Sequence, residues 1–190
     1  RVWGVLGMTS TAFAPTPEME ERLSVPYFVS RETGRPVSAG RTKANVWPAG
    51  IVYGTVHDQA SWVRFNLGDG RVGDQRVLRN ETLEMMQTLQ YPELSSGPMA
   101  GGWGYETPGY GLTWWVSTRK GERFFAHSGS VTGYTAFVMG NRTRGFGVAF
   151  LSYRGFGGSG GTISETGLHM DADAAYDWLV AQGVAPDRLA

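Results

Sequence analysis

The chain has 190 residues, 41% of them apolar and 18% charged, so it can bury a core and is not composed like a disordered segment. Seventeen basic residues balance seventeen acidic ones with no basic run, which argues against nucleic acid or an anionic membrane surface as a partner. Cysteine is absent, which removes disulfides and thiolate metal sites and leaves the compartment unread, and no apolar stretch reaches the roughly 18 residues that a membrane span needs.

The chain opens on Arg1, without an initiator Met or a signal-peptide pattern, and reads as part of a longer or processed protein. Residues 1–13 read as a short helix end stopped at Gly7. Residues 15–48 are irregular, long for a structureless loop, and are expected to wrap a core or border a site. Asp58 is placed as the cap of a helix over residues 59–66, with Ala60, Val63 and Leu67 facing inward and Gly68-Asp69-Gly70 ending it. Asn80 is placed as the cap of a second helix, residues 81–90, whose stripe is Leu83, Met86 and Leu89.

Residues 94–111 read as loop. Four strands follow at 112–117, 123–128, 134–139 and 146–153, and the short gaps between them predict antiparallel hairpins. After a glycine-rich loop, a last helix over residues 166–182 is expected to bury Leu168, Ala172, Ala175, Leu179 and Trp178, with Gly183 closing it and Pro186 beyond. The predicted class is α+β: an antiparallel sheet of about four or five strands with helices packed on it.

The chemistry concentrates in FFAHSGSVTGYTAFVMGNRTRGFGVAFL, where His127-Ser128-Gly129 closes one strand and a Gly-Tyr hairpin leads to the next. A glycine at the third position lets a substrate backbone lie against the strand, and the amide of Ser130 can donate to a developing oxyanion. His127 can contact a substrate carboxylate or carbonyl, and Ser128 can bond the same group. The plain alternative is a pair of polar residues at a strand end.

With this segment, LGMTST near the start, WPAGIVYGTVHDQASWVRFNLGDG and YGLTWWVSTRKGERFFAHSG occur in order, and together they resemble the C-terminal part of the penicillin-recognising serine hydrolases, the β-lactamase and D-alanyl-D-alanine peptidase superfamily. The resemblance covers residues 1–152 and makes His127-Ser128-Gly129 the third motif of that superfamily, Lys-Thr-Gly or His-x-Gly. It implies catalytic roles for His127 and Ser130, and substrate contacts for Ser128 and Gly129. Trp103 and Tyr105 are implied to line the cleft, although the run Trp103, Tyr105, Tyr110, Trp114, Trp115 also reads as core and loop anchors. The implied chemistry is acyl-enzyme hydrolysis of a small β-lactam, D-amino-acid peptide or ester, with no cofactor, and His127 in place of Lys tilts the reading toward peptidase or esterase.

In the superfamily the nucleophile belongs to a Ser-x-x-Lys at a helix start, where the Lys assists deprotonation of a Ser that is a poor nucleophile at its free pKa. That motif and its Tyr-x-Asn or Ser-x-Asn companion lie upstream of the LGMTST passage, so the chain is expected to be a partial domain, inactive alone. A literal Ser117-Thr118-Arg119-Lys120 falls at a strand end, where i and i+3 do not share a face as they do on a helix. His57 and Asp58 are adjacent at a helix start, and three scattered histidines without ligand spacing make a metal site unexpected. Asp171, Asp173 and Asp177 do not share a helix face and read as solvated, and Arg154 reads as a surface residue.

The tail, FGVAFLSYRGFGGSGGTISETGLHMDADAAYDWLVAQGVAPDRLA, resembles instead the early strand, loop and helix of serine-esterase α/β-hydrolases. It contains a literal Gly-x-Ser-x-Gly around Ser159, but not the strand-to-helix turn that exposes a nucleophile in that fold. The expectation is therefore a β-lactamase-like region, residues 1–152, joined to an α/β-hydrolase-like segment, residues 153–190. A non-catalytic binding or scaffold domain, a chimeric fragment and an esterase using Ser159 stay open as alternatives.

Overall fold

The structure is a computed structural model that describes residues 2–23, 25–38, 40, 49–92, 106–131 and 134–149, together with Thr166, His169, Met170, Ala172, Asp173, Tyr176, Asp177, Val180 and Ala185 of the tail. The helix α1, Val2–Val5, stops at Gly7, whose φ of +70° suits a residue without a side chain. Within the irregular stretch lie α2, Pro17–Glu20, and a hairpin of β1, Tyr27–Val29, with β2, Pro36–Ser38.

The helix α3 spans Val56–Leu67 and starts earlier than the sequence predicts, because Thr55 caps it by accepting from Asp58 N–H at 3.2 Å. Asp58 is therefore not the cap. Its inward residues are Asp58, Val63, Phe65 and Asn66, while Ala60 is exposed and Leu67 half-buried. A small hairpin, β3 at Arg71–Val72 and β4 at Gln75–Arg76, precedes α4, Asn80–Met86. Arg79 holds the cap position of α4 without a side-chain bond. Asn80 has other work: its Nδ2 donates to Glu84 Oε1 at 3.1 Å, and its Oδ1 accepts from Arg142 at 2.6 Å.

Six strands form one antiparallel meander: β5, Tyr91–Pro92; β6, Gly109–Tyr110; β7, Trp115–Arg119; β8, Glu122–Val131; β9, Tyr134–Asn141; and β10, Phe146–Ala149. Two strands of two residues extend the expected four or five to six. The β7–β8 hairpin turns on Lys120 and Gly121 at φ of +52° and +74°, the two-residue turn whose twist matches paired strands. The strand expected from residue 112 begins at Trp115, because Gly111 N–H bonds Trp114 O at 2.8 Å and closes a tight loop.

Helix α3 lies on the far strands of this sheet. Gly140 and Gly147 face each other across β9 and β10, and a methyl at either would collide with the Phe125 ring or with Val63, with Leu67 close to both. Glycine is thus required there by space, since it lets the helix approach the sheet. Among the described residues two clusters make the core: Leu6, Met8, Phe65 and Leu83, and Trp114, Val116 and Phe125. Trp62 joins them, stacked on Phe65 at 6.2 Å and on Trp114 at 6.3 Å.

The start of β8 is tied to the β9–β10 turn by charge. Arg144 Nε donates to both carboxylate oxygens of Glu122 at 2.7 Å, and the buried Asn141 donates to the same group at 3.0 Å. The Arg144 bond, aided by its charge and by Asn141, holds the Glu122 carboxyl below its ordinary value against a smaller opposing effect of burial. A depressed folded pKa gives stability that is present above the unfolded value of about 4.3 and is lost as pH falls through the folded value. Arg144→Met should therefore raise the Glu122 titration midpoint in a carboxyl NMR titration. Its stability deficit in urea should shrink as the solution is acidified below about pH 4. A deficit that stayed constant through acidification would show that the pair contributes nothing through ionisation.

In the tail, the described residues 166, 169, 170, 172, 173, 176, 177 and 180 are helical, in agreement with the predicted last helix. Ala172, expected inside, is exposed, as are Met170, Tyr176 and Val180. Leu168, Ala175, Trp178, Leu179, Gly183 and Pro186 lie outside the described residues.

Candidate active site

The predicted site residues His127, Ser128, Gly129 and Ser130 lie on β8, the longest strand among the described residues. Its first half pairs with β7 from Arg119↔Glu122 to Trp115↔Ala126, and β7 begins there. Its second half continues alone on that side, while β9 covers the other flank from Phe125↔Gly140 to Val131↔Tyr134. Residues 127–131 therefore carry a strand edge with no strand beside it among the described residues. On such an edge alternate backbone groups point outward and unpaired.

His127, Ser128, Gly129 and Ser130 are all exposed on this overhang. A methyl added at Gly129 would meet none of the described residues within 4 Å, so among them packing does not demand glycine and the space above the strand is open. Ser130 Oγ donates weakly to Tyr134 O at 3.5 Å, across the hairpin end. His127 Nε2 lies 3.2 Å from the hydroxyl of Tyr110 on β6. Tyr110 packs edge-on against Trp115 with ring centres 4.8 Å apart, and burial pushes its phenol above the ordinary value, so it stays a neutral hydroxyl.

Sequence reasoning did not place Tyr110 beside His127 and read it only as a core or loop anchor. The register carries the missing signal. The turn at Lys120 and Gly121 sets Trp115 opposite Ala126, and β6 sets Tyr110 opposite Trp115, so the row ends one residue from His127. Reading that row needs the short strand β6, which falls in a stretch without alternating pattern.

The competing candidates separate cleanly. Ser117 is buried within β7 while Lys120 occupies the exposed turn, so the literal Ser-x-x-Lys is not on a helix. Asp58 is buried and accepts from Ser10 N–H at 2.9 Å and from Thr11 Oγ1 at 2.6 Å, which is a structural task; His57 beside it is exposed. Asp173 and Asp177 are exposed. Trp103, Tyr105, Arg154, Ser159 and Asp171 lie outside the described residues. Among the described residues, no group of three or more His, Asp or Glu side chains could hold a metal, and no helix is long and apolar enough to cross a membrane. A groove of about 150 Å³ between α3 and β10, lined by Ala60, Val63, Arg64, Leu67, Gly147 and Val148, contains none of the predicted site residues.

Comparison with known proteins agrees with this architecture. The octameric penicillin-binding protein homologue from Pyrococcus abyssi superposes with a TM-score of 0.63 at 23% identity, covering 98% of this chain and 37% of that one. A class C beta-lactamase superposes with a TM-score of 0.50 at 13% identity, covering 90% of this chain and 48% of that one. The chain thus spans less than half the length of either structure, and at these identities the likeness is one of fold. Among the curated proteins, none matches. The sequence model of the Beta-lactamase family matches residues 1–165, continuing past residue 152 into the glycine-rich stretch, and the chain belongs to that family.

Proposed function

We propose that this chain supplies the substrate-aligning wall of a serine-hydrolase active site whose nucleophile comes from outside these 190 residues. The observation that carries the reading is the overhang of β8. Among the described residues it is an unpaired strand edge with His127 exposed, open space over Gly129 and the backbone of Ser130 at its outer end. An extended substrate would lie along this edge as an added strand.

In the completed site an activated serine hydroxyl attacks the carbonyl carbon of an amide, ester or β-lactam, and the π electrons move to its oxygen. The Ser130 amide donates to that oxyanion, where a fixed donor acts without reorganisation. His127 holds the substrate carboxylate or carbonyl, and Ser128 assists. Collapse expels the amine or alcohol, which takes up the proton, and water then releases the acyl group. The family resemblance extends the proposal to Trp103 and Tyr105 as substrate contacts.

The test uses the chain as it stands. N-acetyl-D-alanine, a carboxylate-ended probe, should shift the NMR signals of residues 127–130. His127→Ala should weaken its binding roughly ten- to hundredfold, the loss of one hydrogen bond to a charged group. Nitrocefin should not be turned over, and a fluorophosphonate probe should leave the chain unlabelled. Turnover or labelling abolished by Ser159→Ala would favour the α/β-hydrolase-type reading instead. Probe contact nowhere on 127–130 would reject the ligand wall.

A further inference from the structure

We infer that Tyr110 is a positioning residue for His127: its hydroxyl donates to Nε2, holds the neutral ring in its Nδ1–H tautomer, and leaves that N–H as the donor the ring can offer a ligand. Neither residue type nor spacing points to this pairing, since the two lie 17 positions apart and on strands that are not neighbours.

The geometry supports a fixed phenol. Tyr110 is paired with Tyr91 on one side and Trp115 on the other, and its carbonyl accepts from Gln90 N–H at 2.9 Å. Its ring meets Trp115 at 81° with centres 4.8 Å apart, and meets His127 at 70° with centres 6.3 Å apart. The hydroxyl sits where β7 has not yet begun, so it reaches past the end of that strand to the overhang of β8. Among the described residues the phenol has no other hydrogen-bond partner, and Nδ1 of His127 has none.

The direction of the bond follows from protonation. A neutral imidazole has one N–H and one lone-pair nitrogen, and the partner on one nitrogen decides which is which. A phenol is a stronger donor than acceptor. Burial also favours its neutral, proton-bearing form. With the phenol keeping its proton and donating the O–H to the Nε2 lone pair, the ring proton must sit on Nδ1. An unheld imidazole favours the opposite form, with the proton on Nε2. Tyr110 therefore selects a minority tautomer and spares a ligand the cost of selecting it.

The tautomer assignment rests on the Tyr110–His127 contact and the chemistry of its two groups and needs no ligand, whereas its consequence for binding rests on the ligand wall proposed above. The two separate in one experiment. Long-range proton–nitrogen NMR on the full chain resolves its three histidines, with His127→Gln identifying the signal of interest. The measurement is made near pH 8.5, well above the ordinary imidazole value of about 6.5. The wild-type His127 should show a protonated Nδ1 and a lone-pair Nε2. Tyr110→Phe, which keeps the ring against Trp115, should move it to the Nε2–H form. In a titration with N-acetyl-D-alanine the variant should bind roughly fivefold more weakly, the reciprocal of the Nδ1–H fraction left. A wild-type His127 protonated at Nε2, or a spectrum unchanged in Tyr110→Phe, overturns the inference. The wild-type spectrum decides this even if the variant does not fold. A normal tautomer shift with no probe response in either protein would instead reject the ligand wall.

Discussion

Leu83→Ala is expected to lower stability by about 2–5 kcal/mol, the range for emptying a fully packed aliphatic site. Leu83 on α4 is completely buried and belongs to the cluster of Leu6, Met8 and Phe65, against which Trp3, Val72, Val77 and Leu78 also pack. Four separate pieces of chain meet there: the N-terminal segment, α3, the β3–β4 hairpin and α4. None can move into the cavity without leaving another. A loss of this size is a large share of the roughly 5–15 kcal/mol that holds a domain together. Urea midpoints measure it, with Leu83→Met as the volume-conserving control, expected to cost less than about 1.5 kcal/mol. Equal losses from the two would mean that shape, rather than the missing volume, sets the cost.

The same helix shows where sequence pattern stops informing. Leu83, Met86 and Leu89 share one helical stripe in the sequence, yet α4 ends at Met86 and Leu89 is exposed. The carbonyl of Met86, which should receive the next helical turn, accepts instead from Leu112 N–H at 2.9 Å. Gln90 N–H in turn bonds Tyr110 O at 2.9 Å. The chain exchanges helical bonds for bonds to β6 and to Leu112 just past it, and nothing local in residues 87–90 announces it. The buried Gln87 completes the exchange by donating its Nε2 to Asn66 O at 2.9 Å. Long-range pairing of this kind overrides a local propensity.

The hairpins β7–β8 and β8–β9 were legible because alternation and turn residues agree there. The strands β5 and β6 were not, since two residues cannot display a period. For the candidate site, the pattern placed His127 and Ser128 at a strand end, whereas β8 runs on through Gly129 and Ser130 to Val131. The overhang of β8 past β7 was not, because it depends on where Gly111 and Trp114 close their loop. Tyr110 was hidden for the same reason: its place beside His127 appears only once the strand rows are aligned.

Asp58 is the clearest exchange of roles between pattern and structure, and it sets the second large prediction. Read from sequence it is a helix cap worth about 1 kcal/mol. In the fold that task falls to Thr55, and Asp58 sits inside the first turn of α3, where the helix dipole favours its charge. Its buried Oδ2 accepts from Ser10 N–H at 2.9 Å and from Thr11 Oγ1 at 2.6 Å, 48 and 47 residues away in the chain. Ala12 pairs with Tyr53 just beyond, so this carboxylate fastens the N-terminal segment to the helix. Hydrogen bonds to a charged group are worth about 1.5–3 kcal/mol each, and removing the acceptor leaves two donors in a poorly hydrated place. Asp58→Ala should therefore cost about 3 kcal/mol, and Thr55→Ala about 1 kcal/mol. Hydrogen exchange should separate them further: Asp58→Ala should deprotect the amides of Ser10 and Ala12, whereas Thr55→Ala should deprotect only the first turn of α3. If Thr55→Ala proved the costlier change, or the amide of Ser10 stayed protected without Asp58, the carboxylate would not be the fastening between these segments.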